Sequence, residues 1–289
     1  MNTNETRPIR VLFVNDHLGY PGGVVHGGGV YLSTLLRHFD RSDVDPAVAI
    51  LRRYHPMAER LRNHRISVTF FGRSKWDPRV LFDLIRFAKQ HRVDLLHLNG
   101  MKSHFLGRLT GAVRTIPAII HLHFRYRPFP GFLQAILARH TALALAVSGT
   151  LQNHAVQAFR MPPNRVRRVY NPLDVNRFAN PKANARSSLR RKLGLGEDQP
   201  VIAVIGRVIH QPDKGQKTLI RSMPEVLLRH PKAVLTIVGD GNALPECRMI
   251  AEDIGVGGHI RFLGQRQDIP EILAMVDLVV VPSEQEEAF

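Results

Sequence analysis

Two glycines and two cations, Gly206, Arg207, Lys214 and Gly215, stand in the stretch VIAVIGRVIHQPDKGQKTLI, residues 201–220. An apolar run breaks at Gly206, where the absence of a Cβ lets the backbone turn and approach a ligand. Arg207 offers a planar fork of donors suited to phosphate, and Lys214 offers a compact point charge. Gly215 precedes apolar residues at Leu219, Ile220, Met223, Val226 and Leu227, the spacing of a helix. The N-terminus of that helix adds partial positive charge. Three sources of positive potential on one strand-end loop fit a diphosphate. The same residues also fit ordinary exposed loop cations. Pro224 predicts a local kink within the helix.

Three more strand-like runs end in turn formers. LTIVGDGNALPE places Gly239, Asp240 and Gly241 before a helical segment. IRFLGQRQDIPEIL carries Gly264 and Arg266, and DLVVVPSEQEEAF carries Pro282, Ser283 and a carboxylate cluster that includes Glu287. Four consecutive strands thus turn on the face where parallel sheets bind ligands.

In the first half, GYPGGVVHGGGVYL holds Gly22, Gly23, Gly27, Gly28 and Gly29 between a strand and a helix. Such a loop leaves backbone amides free for an anion or a sugar, or is merely permissive. It is not a G-x-G-x-x-G fingerprint, which argues against a dinucleotide oxidoreductase. His123 ends the AIIHLHF run, and His121 and His97 sit on strands where they could point into helix layers. A lone strand-end histidine serves either as a hydrogen-bonded structural residue or in proton transfer. No spacing among the histidines and Cys247 makes a metal site, so no metal is expected. Asn171 and Asp174 in NPLD read as a turn.

These residues need a scaffold, and the pattern supplies one. Residues 9–15, 46–51, 66–71, 93–99, 118–124 and 143–148 are short runs rich in Val, Ile and Leu, as strands covered on both faces should be. Stretches of helical period separate them. Strand–helix alternation predicts a parallel sheet with right-handed crossovers. Polar residues 179–196 read as a linker with a short helix, after which four strand candidates resume. The expectation is an α/β chain of two Rossmann-like domains, 1–178 and 197–289, facing each other across a cleft. A sheet ending directly on a buried-type strand is expected to belong to a chain cut short at Phe289, with its second domain incomplete.

Composition sets the outer bounds. The chain has 289 residues and a formal net charge of +16, which attracts nucleotides, nucleic acid or anionic lipid alike. It has no long basic tail and no RNA-binding aromatic signature, so nucleic acid is not the expected partner, although charge alone would allow it. A single cysteine rules out an internal disulfide and points to a reducing compartment, the cytoplasm. The polar start lacks a signal-peptide core, and no apolar run reaches the roughly 18 residues that span a bilayer. HFRYRPFPGFLQAILARH mixes arginines with Phe129, Phe132, Leu133, Ile136 and Leu137, the pattern of an interfacial element or of a sheet-packed helix with a basic outer face.

The ordered set G-R…K-G, V-G-D-G, F-L-G and D-x-x-V-x-P-S-x-x-x-E-x-F resembles the nucleotide-sugar domain of GT-B glycosyltransferases of family GT4. The glycine-rich loop, the strands D-L-L-H-L-N and H-L-H, and V-Y-N-P-L-D resemble its first domain. The resemblance implies a retaining transferase without a bound metal, using a UDP- or GDP-sugar donor and a glycan or lipid-linked acceptor, with an anionic inner membrane face as a further partner. It implies that Arg207 and Lys214 hold the donor diphosphate and that Glu287 matches the first glutamate of the family's E-x7-E motif. It also places Gly28, Gly29 and His123 near the transferred sugar. Gly206, Gly215, Gly239, Asp240, Gly241, Arg266 and Ser283 would line the nucleotide-sugar site. The motif's second glutamate would fall beyond Phe289, so a non-catalytic nucleotide-sugar-binding fragment is the other reading.

Overall fold

A computed structural model describes residues 7–19, 27–74, 77–128, 131–179, 181–182, 184–210 and 214–283. Gly22, Gly23, Phe129 and Glu287 lie outside the described residues. The chain divides into two compact units, with the boundary between Leu173 and Asp174.

The first unit alternates β1 (Ile9–Asn15), α1 (Gly27–Leu36), β2 (Val44–Ile50), α2 (Met57–Asn63), β3 (Ser67–Phe70), α3 (Arg79–Gln90), β4 (Leu95–Asn99), α4 (Met101–Arg114), β5 (Ala118–Leu122), α5 (Gln134–Arg139), β6 (Thr141–Ala146), α6 (Gly149–Ala158) and β7 (Val166–Arg168). All seven strands pair in parallel, in the order β3-β2-β1-β4-β5-β6-β7. The order reverses between β1 and β4, which makes their carboxyl ends the switch point of the sheet. Both faces of β1 are buried. Val11 and Phe13 pack with Leu32 and Leu36 of α1, while Leu12 and Val14 pack with Leu84 and Leu98. That two-sided burial explains why the strand reads as a continuous apolar run. β7 was not expected from sequence: it is three residues long, and two of them are exposed arginines.

At the switch point Asp16 follows β1 directly. Its carboxylate accepts hydrogen bonds from the backbone nitrogens of Lys102 (3.0 Å) and Ser103 (2.7 Å). An acid 86 residues earlier in the chain thus caps the first turn of α4.

The second unit holds α7 (Val175–Ala179), α8 (Ala185–Lys192), β8 (Val201–Ile205), α9 (Gln216–Arg229), β9 (Val234–Val238), α10 (Leu244–Asp253), β10 (Ile260–Gly264), α11 (Ile269–Met275) and β11 (Leu278–Val279). Its four parallel strands lie in the order β10-β9-β8-β11. Ile220 and Met223 of α9 and Cys247 of α10 cover one side, with Leu235 and Ile237 of β9. Leu189 of α8 and Ile272 and Met275 of α11 fill the other. α9 runs as one helix through Pro224.

Within 179–196, α8 is fastened to this unit by Arg190, whose side chain is fully buried. Its guanidinium donates to the carbonyls of Met275 (3.0 Å), Gly196 (2.7 Å), Glu197 (2.7 Å) and Gln199 (2.8 Å), and to Asp277 Oδ2 (2.8 Å). Burial pushes the Asp277 carboxyl up. Hydrogen bonds from Arg186, the Val201 nitrogen and Arg190 outweigh that, and the net shift is downward.

Candidate functional site

The strand ends of the second unit meet backbone to backbone. Gly239 follows β9 at φ +143°, and a Cβ there would collide with the carbonyl of Gly206, which follows β8. A Cβ on Gly241 would strike the Val208 carbonyl. The two loops are stitched by Val208 N to Asp240 O (3.0 Å) and Ala243 N to Val208 O (3.0 Å). The exposed Asp240 turns its carboxylate onto its own loop, where Oδ1 accepts from Gly241 N at 2.7 Å.

Gly215 forms the N-cap of α9 at φ +78°, a left-handed conformation that costs any other residue energy. A Cβ there would run into the carbonyl of Pro282, so the loop after β11, with Ser283, lies against the start of α9. Gln216, the first residue of that helix, is buried and donates from Nε2 to the Arg207 carbonyl at 3.1 Å. Gly206, Arg207, Gly215, Gly239, Gly241 and the Pro282–Ser283 segment therefore share one neighbourhood, with the half-buried Lys214 directly before the N-cap. Oriented amides and two cations there make a potential suited to an anion. Nearby, Lys217 Nζ reaches Glu246 at 3.2 Å, so that lysine is held by an acid. Arg266 stands on the loop after the edge strand β10, where its guanidinium holds Asp268. Gln216 was invisible to sequence reasoning, because a polar residue opening a helix normally faces water.

The first unit gathers imidazoles at the ends of β4 and β5. Their register puts Asn99 opposite His121, so His97, Asn99, His121 and His123 share the α1 face. His121 Nδ1 contacts Tyr31 Oη at 2.8 Å and His97 Nε2 at 3.2 Å. His121 and His123 stack at 4.2 Å between centroids, and the Tyr31 ring meets His123 edge-on at 4.5 Å. His123 Nε2 lies 3.3 Å from Asn99 Oδ1, which only accepts, so this nitrogen carries the proton. Asn99 Nδ2 in turn donates to Asn15 Oδ1 at 3.4 Å.

On the opposite face His104 donates from Nε2 to the carbonyls of Leu98 (3.0 Å) and His121 (3.1 Å), and its Nδ1 accepts from Tyr126 Oη. His104 thus pins the two strand ends from beneath.

Burial keeps these imidazoles neutral. It pulls His123 down to about 4, although a hydrogen bond with Asn171 pushes the other way. It takes His97 and His104 down to about 3 and His121 lower still, the charge of neighbouring imidazoles adding to the effect on His97 and His121. Among the described residues the buried His121 Nε2 has no hydrogen-bond partner. Gly28 is half-buried and Gly29 buried at the start of α1; a Cβ on Gly29 would sit 2.6 Å from the Leu18 carbonyl, so its role is close packing. Tyr31 was not singled out by sequence, since it is also what a core position tolerates, whereas His97 and His121 lie buried on the α1 side, in keeping with strand histidines that point into a helix layer. The period-two spacing of His121 and His123 was the available signal. Among the described residues no group of three or more His, Cys, Asp or Glu could hold a metal ion.

Known proteins resemble this chain in sequence and in fold. The model of Glycosyltransferase Family 4 matches residues 25–177, and that of Glycosyl transferases group 1 matches residues 185–289. Over 112 residues, 38% of this chain and 28% of the relative, it is 38% identical to the GDP-mannose-dependent alpha-(1-6)-phosphatidylinositol monomannoside mannosyltransferase of Mycolicibacterium smegmatis. Over 220 residues, 72% of this chain and 56% of the relative, it is 24% identical to the UDP-Gal:alpha-D-GlcNAc-diphosphoundecaprenol alpha-1,3-galactosyltransferase of Escherichia coli. The match thus spans 28% to 56% of the length of these two relatives. Anabaena Alr3699/HepE, solved in complex with UDP and glucose, superposes with a TM-score of 0.79 over 96% of this chain and 75% of that one; at 23% identity the likeness speaks for the fold.

Proposed function

The chain belongs to glycosyltransferase family 4, and on that premise we propose that it moves a sugar from a UDP- or GDP-linked donor to a glycan or lipid-linked acceptor, with retention at the anomeric carbon. The fold class is GT-B, two Rossmann-like units each built on a parallel sheet. The setting we propose is glycolipid or polysaccharide synthesis, in the cytoplasm or on the inner membrane face. Two relatives' names, one specifying a phosphatidylinositol mannoside and the other a diphosphoundecaprenol acceptor, support the lipid-linked class.

In this reading the bond from the anomeric carbon to the donor diphosphate breaks, and positive charge develops on the sugar. Negative charge grows on the leaving diphosphate, where Arg207, Lys214 and the N-terminus of α9 stabilise it more in the transition state than in the ground state. Protein cations thereby do what a bound metal would otherwise do. His123 with a pKa near 4 stays neutral at physiological pH and offers hydrogen bonds to a sugar without adding charge beside the developing cation. The observation that carries the proposal is the packing of the α9 N-cap against Pro282 and of Gly239 against Gly206, which gathers the backbone around Arg207 and the residue after Lys214 at one set of strand ends.

Titration with UDP, GDP and their sugar conjugates tests this by heat of binding. One nucleotide family binds, a chelator leaves its affinity unchanged, and Lys214→Ala and Arg207→Ala each weaken it by about 10- to 100-fold, one charge-assisted contact's worth apiece. Transfer by Lys214→Ala falls about 100-fold or more. Wild-type affinity in both alanine variants would remove the diphosphate cradle and the proposal with it.

A further inference from the structure

The carboxyl ends of three neighbouring strands are joined through their side chains. Asn15 closes β1 and Asn99 closes β4, and the parallel register sets the two side by side. On its other flank Asn99 lies opposite His121 of β5, two residues before His123. The contacts run as one chain, from His123 Nε2 to Asn99 Oδ1 at 3.3 Å and from Asn99 Nδ2 to Asn15 Oδ1 at 3.4 Å. Asn15 is 4% exposed and Asn99 7%, so bulk water does not compete for these contacts.

Two buried asparagines in otherwise apolar strand ends call for a reason, because an unmatched amide inside a protein is costly. The contact with Asn15 satisfies Asn99 Nδ2 and leaves Oδ1 in need of a donor, which His123 supplies. With Nδ2 committed to Asn15, the Asn99 amide is held one way round, and its Oδ1 can only accept. His123 therefore donates from Nε2. In a neutral imidazole Nδ1 then keeps the lone pair and can only accept.

A carboxylate is the more familiar partner for a histidine that must be oriented. At position 99 it would aim the ring as well as the amide does, but its charge would draw a second proton onto the imidazole. The amide orients without charging. Among the described residues, the titratable groups that interact with the His123 ring are Tyr31 of α1, His97 of β4, His104 of α4 and His121 of β5, and none is a carboxylate. Asn171, which also hydrogen bonds with the ring, is uncharged as well.

We propose that Asn99 is a positioning residue for sugar transfer, holding the His123 proton on Nε2 so that the ring offers a sugar hydroxyl an acceptor at Nδ1. Asn15 keeps Asn99 the right way round, and neither asparagine touches the sugar. The inference rests on the placing of His123 beside the transferred sugar in the reading above. An imidazolium there would oppose the positive charge that grows on the anomeric carbon. A neutral acceptor holds the hydroxyl without opposing it.

The first readout needs no donor. With 15N-labelled histidine, long-range nitrogen–proton spectra at pH 7 separate the two tautomers, and the His123 signal is the one lost in His123→Gln. Wild type shows the proton on Nε2 alone, and Asn99→Ala shows both tautomers. The second readout is the pH dependence of kcat. Asn99→Asp, nearly the same shape, gains an acid limb between about pH 6 and pH 8 that wild type lacks, because the new carboxylate raises a ring that burial holds at about 4. Down that limb kcat falls about tenfold, while KM for the donor changes less than about threefold. The same charge change at the exposed Asn63, at the end of α2, leaves the wild-type profile. Three outcomes overturn the proposal: a wild-type ring protonated on Nδ1, a wild-type pH profile in Asn99→Asp, or a loss in Asn99→Ala that follows KM or Tm instead of kcat. Affinity for the nucleotide that wild type binds is unchanged in both Asn99 variants, so failure of the tautomer lock is distinct from failure of the diphosphate cradle.

Discussion

Gly239 shows what a single missing Cβ does. At φ +143°, with the Gly206 carbonyl in the way, an alanine meets both backbone strain and a collision. Gly239→Ala should lower the unfolding free energy of the second unit by more than about 3 kcal/mol in urea titration, as strain and overpacking add. Gly258→Ala, where no atom of the described residues lies within 4 Å, should stay within about 0.5 kcal/mol. The strand-end residues of this unit were legible because glycine after a buried run has few other uses. Tyr31 and Gln216 were not, because a buried polar side chain looks in sequence like an exposed one until its partner, 90 residues away for Tyr31 and 9 for Gln216, is known.

At the scale of elements, Arg190 decides the place of α8. It joins that helix to α11 and to the start of β8 through five hydrogen bonds. Arg190→Met strands four carbonyls and a carboxylate, and should cost about 3 kcal/mol or more by denaturant titration of the second unit. Asp277 supplies the pH signature. Its folded pKa lies below the ordinary 3.8, so its contribution is present above that value and is lost as pH falls through the folded pKa. Asp277→Asn should remove that slope in the acid limb. The other strands were read from sequence to within about two residues at most ends, because two-sided burial writes a run of Val, Ile and Leu. β7 escaped because an edge strand of three residues writes no such run, whereas the short helix expected within 179–196 is α8, although the burial of its arginine, normally a surface residue, gave no sign in the sequence.

For the whole molecule, the histidines make acid the natural enemy of the first unit. His97, His104, His121 and His123 all titrate below 6.5 in the folded state, so the unfolded chain binds more protons between about pH 6.5 and pH 4. Stability of this unit should therefore fall as pH drops through that window. Amide exchange at pH 7 and pH 5 should show β4 and β5 losing protection before β8 and β9, and an unchanged ranking would contradict the assignment of neutral imidazoles. The switch point of the first sheet has one further consequence. The α4 N-terminus, which elsewhere welcomes phosphate, is already filled by the protein's own Asp16. The place an outside anion would take at the nitrogens of Lys102 and Ser103 is thus occupied from within, so this helix end is a finished internal contact and not an open anion berth.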